Sequence, residues 1–89
     1  MNRTNIIHLL EKKINREYII EDEMMNKHTT FKVGGPADLY VIPRSEEELV
    51  YAIEVCKSQN VPYYVIGNGS NLLVTDKGFR GVIIEVYRQ

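Results

Sequence analysis

The sequence predicts an α/β (α+β) fold: one β-α-β unit, further strands after it, and an amino-terminal helix. Residues 39–66 pass from a short apolar run through a capped amphipathic segment to a second apolar run, which is the order strand, helix, strand. The second run, Tyr63-Tyr64-Val65-Ile66, feeds directly into Gly67-Asn68-Gly69-Ser70-Asn71, and Leu72-Leu73-Val74 leaves it. A strand therefore enters and a strand leaves a tight loop of small residues. Near the amino terminus, apolar residues recur at helical spacing.

In chain order, Ile6, Ile7, Leu10 and Ile14 form that first stripe between Thr4 and about Arg16, with Glu11, Lys12 and Lys13 on the other side. Such a helix is expected to pack on the body; binding a partner is the alternative. Tyr18 to Lys27 mixes Ile19-Ile20 with Glu21-Asp22-Glu23 and Met24-Met25 without a sustained period, and reads as a connector holding a short turn of helix or strand. Gly34-Gly35-Pro36 marks a sharp turn. Leu39-Tyr40-Val41-Ile42-Pro43 is an apolar run closed by proline, the pattern of a buried strand.

Ser45 followed by Glu48 is a capping box, and Glu46, Glu47 and Glu48 stand beside the positive end of the helix dipole. A helix starts there, with Leu49, Val50, Ala52, Ile53 and Cys56 as its apolar face. Lys57, Asn60 and Pro62 end it with a cation in the last turn, a left-handed asparagine and a stop. The β-α-β unit should be parallel and right-handed. Beyond the glycine loop, Leu72 to Val74 reads as a strand, Asp76-Lys77-Gly78 as a turn and Val82 to Val86 as a last strand. Val82, Ile84 and Val86 share one face of it, Ile83 and Glu85 the other. This strand is expected at a bare sheet edge, which complete domains normally cover. The 89 residues are thus expected to be a piece of something larger, with self-association through the edge as a consequence. Residues 1–26 are read as helix and connector, and residues 27–89 as one incomplete lobe.

At 89 residues there is room for one domain at most, and one of this size buries about two-thirds or less of its unfolded surface. Hydrophobic residues at 44% and charged residues at 26% exclude wholesale disorder. Eleven basic against twelve acidic residues leave a charge of −1 with no block of like charge, which points to no nucleic acid and no polybasic membrane patch. The single Cys56 has no second thiol for a disulfide or a metal site, and His8 and His28 lack metal partners. No apolar run near Met1 is long enough for a signal peptide or a membrane span. The expectation is a soluble, cytoplasmic protein without a metal.

The glycine loop carries the chemistry. Glycines on either side of Asn68 permit positive φ and let several N–H groups face one side with no Cβ in the way. Such a hollow favours a phosphate or diphosphate, to which Ser70 and Asn71 would add side-chain hydrogen bonds. The third glycine of a dinucleotide fingerprint would fall at Leu72, and no lysine lies in the loop, so neither the Rossmann nor the Walker pattern is met. On pattern alone, a plain hairpin turn is a commoner meaning of these letters than a phosphate cradle.

Three motifs shift that balance: Thr30-Phe31-Lys32-Val33-Gly34-Gly35-Pro36-Ala37-Asp38, the run from Pro62 to Leu73, and Gly78-Phe79-Arg80-Gly81-Val82-Ile83-Ile84. Their order and separation resemble the amino-terminal part of the UDP-N-acetylenolpyruvoylglucosamine reductase family, over about Asn26 to Val86. The resemblance implies the small lobe of a vanillyl-alcohol-oxidase or p-cresol-methylhydroxylase type of FAD-binding domain. In that family the Gly-x-Gly-Ser-Asn loop wraps the FAD diphosphate, so by position the role falls on Gly67, Asn68, Gly69, Ser70 and Asn71, with Ile66 and Leu72 flanking.

The activity it implies belongs to peptidoglycan precursor synthesis. NADPH reduces the flavin, which gives hydride to the enolpyruvyl ether of UDP-N-acetylglucosamine, making UDP-N-acetylmuramate. A serine protonates the product carbon while a glutamate and an arginine stabilise the intermediate. None of the three can be assigned within residues 1–89, nor can the second flavin lobe or the substrate domain. A protein supplies binding and orientation to a flavin's own chemistry, so half a cradle is expected to be inactive and to bind FAD weakly or not at all. Another flavin oxidoreductase of the same fold is a neighbouring reading, opposed by the Thr30 to Asp38 run. A stand-alone interaction module using the sheet edge or the first helix is a third.

Overall fold

A computed structural model of the chain describes residues 2–24, 36–67 and 79–86. The elements are α1 (Arg3–Glu11), β1 (Ile19–Met24), β2 (Pro36–Val41), α2 (Glu46–Ser58), β3 (Tyr63–Gly67) and β4 (Phe79–Val86), with a 3-10 turn at Arg16–Tyr18 before β1. The turns expected at Gly34-Gly35 and at Asp76-Lys77-Gly78, and the strand expected at Leu72 to Val74, lie outside the described residues.

The strands form a 4-stranded sheet in the order β1-β2-β4-β3. β1 runs antiparallel to β2, while β4 runs parallel to both β2 and β3. The expected β-α-β unit is therefore present with parallel strands, but β4 is inserted between its two strands. This corrects the placing of the last strand at a sheet edge: β4 is central, and among the described residues β1 and β3 are the outer strands. The reason is legible in β4 itself, where Val82, Ile83 and Ile84 are all 0% exposed. A strand apolar on both faces gains most from a position covered on both.

Both helices pack on one face. Ile6, Ile7, Leu10 and Ile14 meet Ala52, Val55 and Cys56 over Leu39, Val41, Val82 and Ile84, each large aliphatic side chain contributing roughly 1.5–3 kcal/mol by its burial. A smaller cluster of Ala37, Tyr40, Ile66 and Ile83 occupies the opposite face, with Ile20 and Ile42 packed against it. A register shift between Ala37 and Leu39 accompanies the placing of Ala37 and Tyr40 in this second cluster.

α1 stops at Glu11, five residues short of the expected Arg16, and Asn15 serves the next element instead. Its side chain accepts the Glu17 N–H and caps the 3-10 turn, a local bond that competes with helix continuation. Ile14 is still buried beyond the helix end. The segment read as a connector contains a full strand, β1, hidden in the sequence by its acids. Arg16 donates to Glu21 at 2.9 Å and Arg3 to Asp22 at 3.0 and 3.1 Å, so charge is neutralised along an outer strand.

α2 begins as expected, with the Ser45 Oγ accepting the Glu48 N–H at 3.1 Å. The Glu48 carboxylate closes the motif one residue early, accepting from the Arg44 N–H at 3.0 Å. Asn60 takes φ 56°, the left-handed stop. Its apolar face needs one correction: Val50 is 47% exposed, and Val55 is buried in its place. Val55 lies three residues beyond Ala52 and one before Cys56, which turns it toward the sheet, whereas Val50 falls outside that stripe.

Candidate functional site

β2, β4 and β3 direct their carboxyl ends to the same edge of the sheet, the side on which open α/β sheets take ligands. Val41, Ile84 and Val65 stand level across the strands, and β4 and β3 then overrun β2 through the pairs Ile66 with Glu85 and Gly67 with Val86. Gly67, the first residue of the Gly-Asn-Gly-Ser-Asn run, stands at this overhang.

Ile66 and Gly67 are described; Asn68, Gly69, Ser70, Asn71 and Leu72 lie outside the described residues. Ile66 is 7% exposed and belongs to the second cluster, so it anchors the strand. Gly67 is the last residue of β3, and it does not take the positive φ that the sequence suggested for the loop's first glycine. Among the described residues, a Cβ at 67 would meet only the Val86 carbonyl oxygen, at 3.8 Å. That is an ordinary contact, so packing among the described residues does not require glycine there. Among the described residues nothing crowds the backbone at this end of a parallel strand, which suits close approach by a diphosphate, and in this respect those residues fit FAD.

Sequence reading missed one feature of the same face. Tyr40, 0% exposed, donates its hydroxyl to Glu85 Oε1, and Glu85 is itself only 9% exposed. The central strand sets Glu85 between Tyr40 on β2 and Ile66 on β3. Its signal was a lone acid in Val82-Ile83-Ile84-Glu85-Val86, on the face of Ile83.

Asp38 and Arg80, from two of the motifs that carried the resemblance, meet near the other end of the sheet. Arg80 Nε donates to Asp38 Oδ2 at 3.1 Å, and Arg3 donates to Asp38 Oδ1 at 2.9 Å. The hydrogen bond from Arg3 to Asp22, with help from Asp38, raises the Arg3 pKa above its ordinary value. These residues brace α1, β2 and β4 toward the amino ends of the two strands, whereas Gly67 stands at the carboxyl end of β3. Cys56 is buried on α2, its thiol pushed up to about 11 by burial, which makes it inert. Among the described residues no group of His, Cys, Asp and Glu could hold a metal ion, and no helix is long and apolar enough to cross a membrane.

Residues 37–88, more than half of the chain, match a family described as an FAD binding domain. The chain is 48% identical over 86 residues to the UDP-N-acetylenolpyruvoylglucosamine reductase of Alkaliphilus metalliredigens, covering 97% of this chain and 28% of that protein. It is 49% identical over 81 residues to the reductase of that name from Clostridium botulinum, covering 91% and 26%. With that of Alkaliphilus oremlandii it shares 44% over 89 residues, covering 100% and 29%. The chain thus spans a little over a quarter of the length of these relatives. It belongs to the FAD binding domain family, whose cofactor is FAD, and over most of its length it is similar to one segment of the UDP-N-acetylenolpyruvoylglucosamine reductases.

Proposed function

We propose that this chain is the flavin-binding segment of an NADPH-dependent UDP-N-acetylenolpyruvoylglucosamine reductase, working in the cytoplasm on a nucleotide-sugar enolpyruvyl ether. The observation that carries the reading is that Gly67, which opens the Gly-Asn-Gly-Ser-Asn run of the sequence, stands at the carboxyl end of a parallel strand, inside the stretch that matches an FAD binding domain. In this reading the lobe is of the vanillyl-alcohol-oxidase type. FAD, when bound, supplies the hydride chemistry.

This chain's own work is to bind and orient. The amides of Gly67 to Asn71 donate to the diphosphate, Ser70 and Asn71 add side-chain hydrogen bonds, and Ile66 and Leu72 pin the two ends of the loop. The groups that move protons at the substrate lie in the rest of the longer protein. The 89-residue chain alone is therefore expected to be inactive and to quench FAD fluorescence weakly or not at all. Tight stoichiometric binding in that titration would contradict the division of labour.

Gly69→Val in the full-length gene product tests the cradle. A branched side chain would block the phosphate, so the purified variant should carry no flavin while its far-ultraviolet circular dichroism stays unchanged. Normal flavin content would refute the cradle.

A further inference from the structure

We propose that the helix-side face of β3, at Tyr63 and Val65 beside the end of α2, is a docking surface for one apolar helix supplied by the rest of the longer protein. The proposal rests on the reading of this chain as a segment of a longer reductase, and goes beyond it by naming the face that the remainder covers.

Val41, Ile84 and Val65 stand level on β2, β4 and β3, and paired residues of neighbouring strands share one face of a sheet. Val41 and Ile84 are buried in the core that α1 and α2 complete, whereas Val65 is 46% exposed. The helix layer thus stops one strand short. The uncovered surface is apolar and continuous. Tyr63, two residues before Val65 on the same face, is only partly buried against that core, and a cleft of about 350 Å³ lined by Cys56, Val61, Pro62 and Tyr63 opens between α2 and β3.

The outer strand on the opposite side shows what an open position looks like in this fold. On β1, Ile19 is buried in the same core, and Glu21, two residues on, shares its face. Glu21 is exposed and accepts from Arg16 at 2.9 Å. Where the cover of the helices ends on β1 the chain carries an ion pair suited to water; where it ends on β3 the chain carries valine. An apolar sheet face is buried against another element, and a helix lying beside α2 at the usual spacing of about 8–10 Å completes the layer.

The length of the relatives says where that helix comes from. This chain covers 28%, 26% and 29% of the three reductases it is similar to, so most of such a protein lies outside the segment and has to pack against it. Lys57, exposed here, also lines the cleft. Covering it takes an ammonium group out of water, which is costly without an opposite charge. The docking helix therefore carries a carboxylate that faces Lys57.

The test uses the full-length gene product with Val65→Cys or Val50→Cys. The two valines are almost equally exposed in this segment, at 46% and 47%, but Val50 lies beside Lys13 and Tyr51 and away from β3. Alkylation by iodoacetamide is followed at each position by mass spectrometry, in native protein and in urea. Val65→Cys should react at least about tenfold more slowly in the native protein than in urea, and Val50→Cys within about threefold of its rate in urea. Equal protection at the two positions, or none at Val65→Cys, overturns the proposal.

Carbodiimide coupling identifies the occupant and needs no variant. In the unsubstituted protein it should join the Lys57 amine to a carboxylate beyond residue 89 of the same polypeptide. Coupling between copies assigns the face to a dimer, and coupling confined to residues 1–89, or none, leaves no docked helix; each of these overturns the proposal. A gene product with no residues beyond Gln89 is a different outcome: it removes the segment reading itself, and the docked helix with it.

Discussion

Asp38 joins three elements through one carboxylate. It is 8% exposed, accepts from Arg3 of α1 on one oxygen and from Arg80 of β4 on the other, and stands on β2. The two arginines are not equivalent, since the Arg3 side chain is 30% exposed and that of Arg80 is 85% exposed. A pair with so exposed a partner is largely screened. Asp38→Ala should therefore cost about 2 kcal/mol, and Arg80→Ala less than about 1 kcal/mol, both read from the midpoint of urea unfolding. Equal losses would mean that the exposed pair, and not the bridge to α1, carries the stability. Asp38 and Arg80 belonged to motifs that pointed to a flavin protein, yet their contact braces the amino ends of β2 and β4, and Gly67 stands at the carboxyl end of β3. The letters told the family; only the coordinates told what these two residues do in it.

At the scale of the element, α2 shows what a sequence pattern can and cannot assign. Its start at Ser45 and its left-handed stop at Asn60 follow from local bonds, and both are where the sequence puts them. Which of two valines faces the sheet depends on the neighbouring element, and here the pattern chose Val50 where the fold buries Val55. Val55→Ala should cost about 2 kcal/mol from the lost burial, while Val50→Lys should change stability by no more than about 0.5 kcal/mol. Calorimetric melting of both variants checks the pair, and the reverse order would contradict the packing. β1 and β4 were misread for related reasons. The acids of β1 resemble a solvated connector until Arg3 and Arg16 are brought to them, and the apolar residues of β4 say that it is buried without saying which strands flank it. Sheet order is set by long-range pairing, which no window of sequence contains.

For the molecule as a whole, the family match begins at residue 37 while the core reaches back to Ile6. α1 supplies Ile6, Ile7 and Leu10 to the same cluster as Leu39 and Val82, so the helix ahead of the matched stretch is part of what holds the strands level. Levelled strands matter to the proposed diphosphate site because Gly67, at the end of β3, pairs with Val86 of β4.

The central claim is that the backbone between Gly67 and Leu72 holds the FAD diphosphate. Amide hydrogen exchange of the full-length gene product, read by mass spectrometry with and without saturating FAD, tests it directly. The expected result is slower exchange at residues 68–72 when FAD is bound. Unchanged exchange there, with FAD demonstrably bound and protection appearing elsewhere, would contradict it.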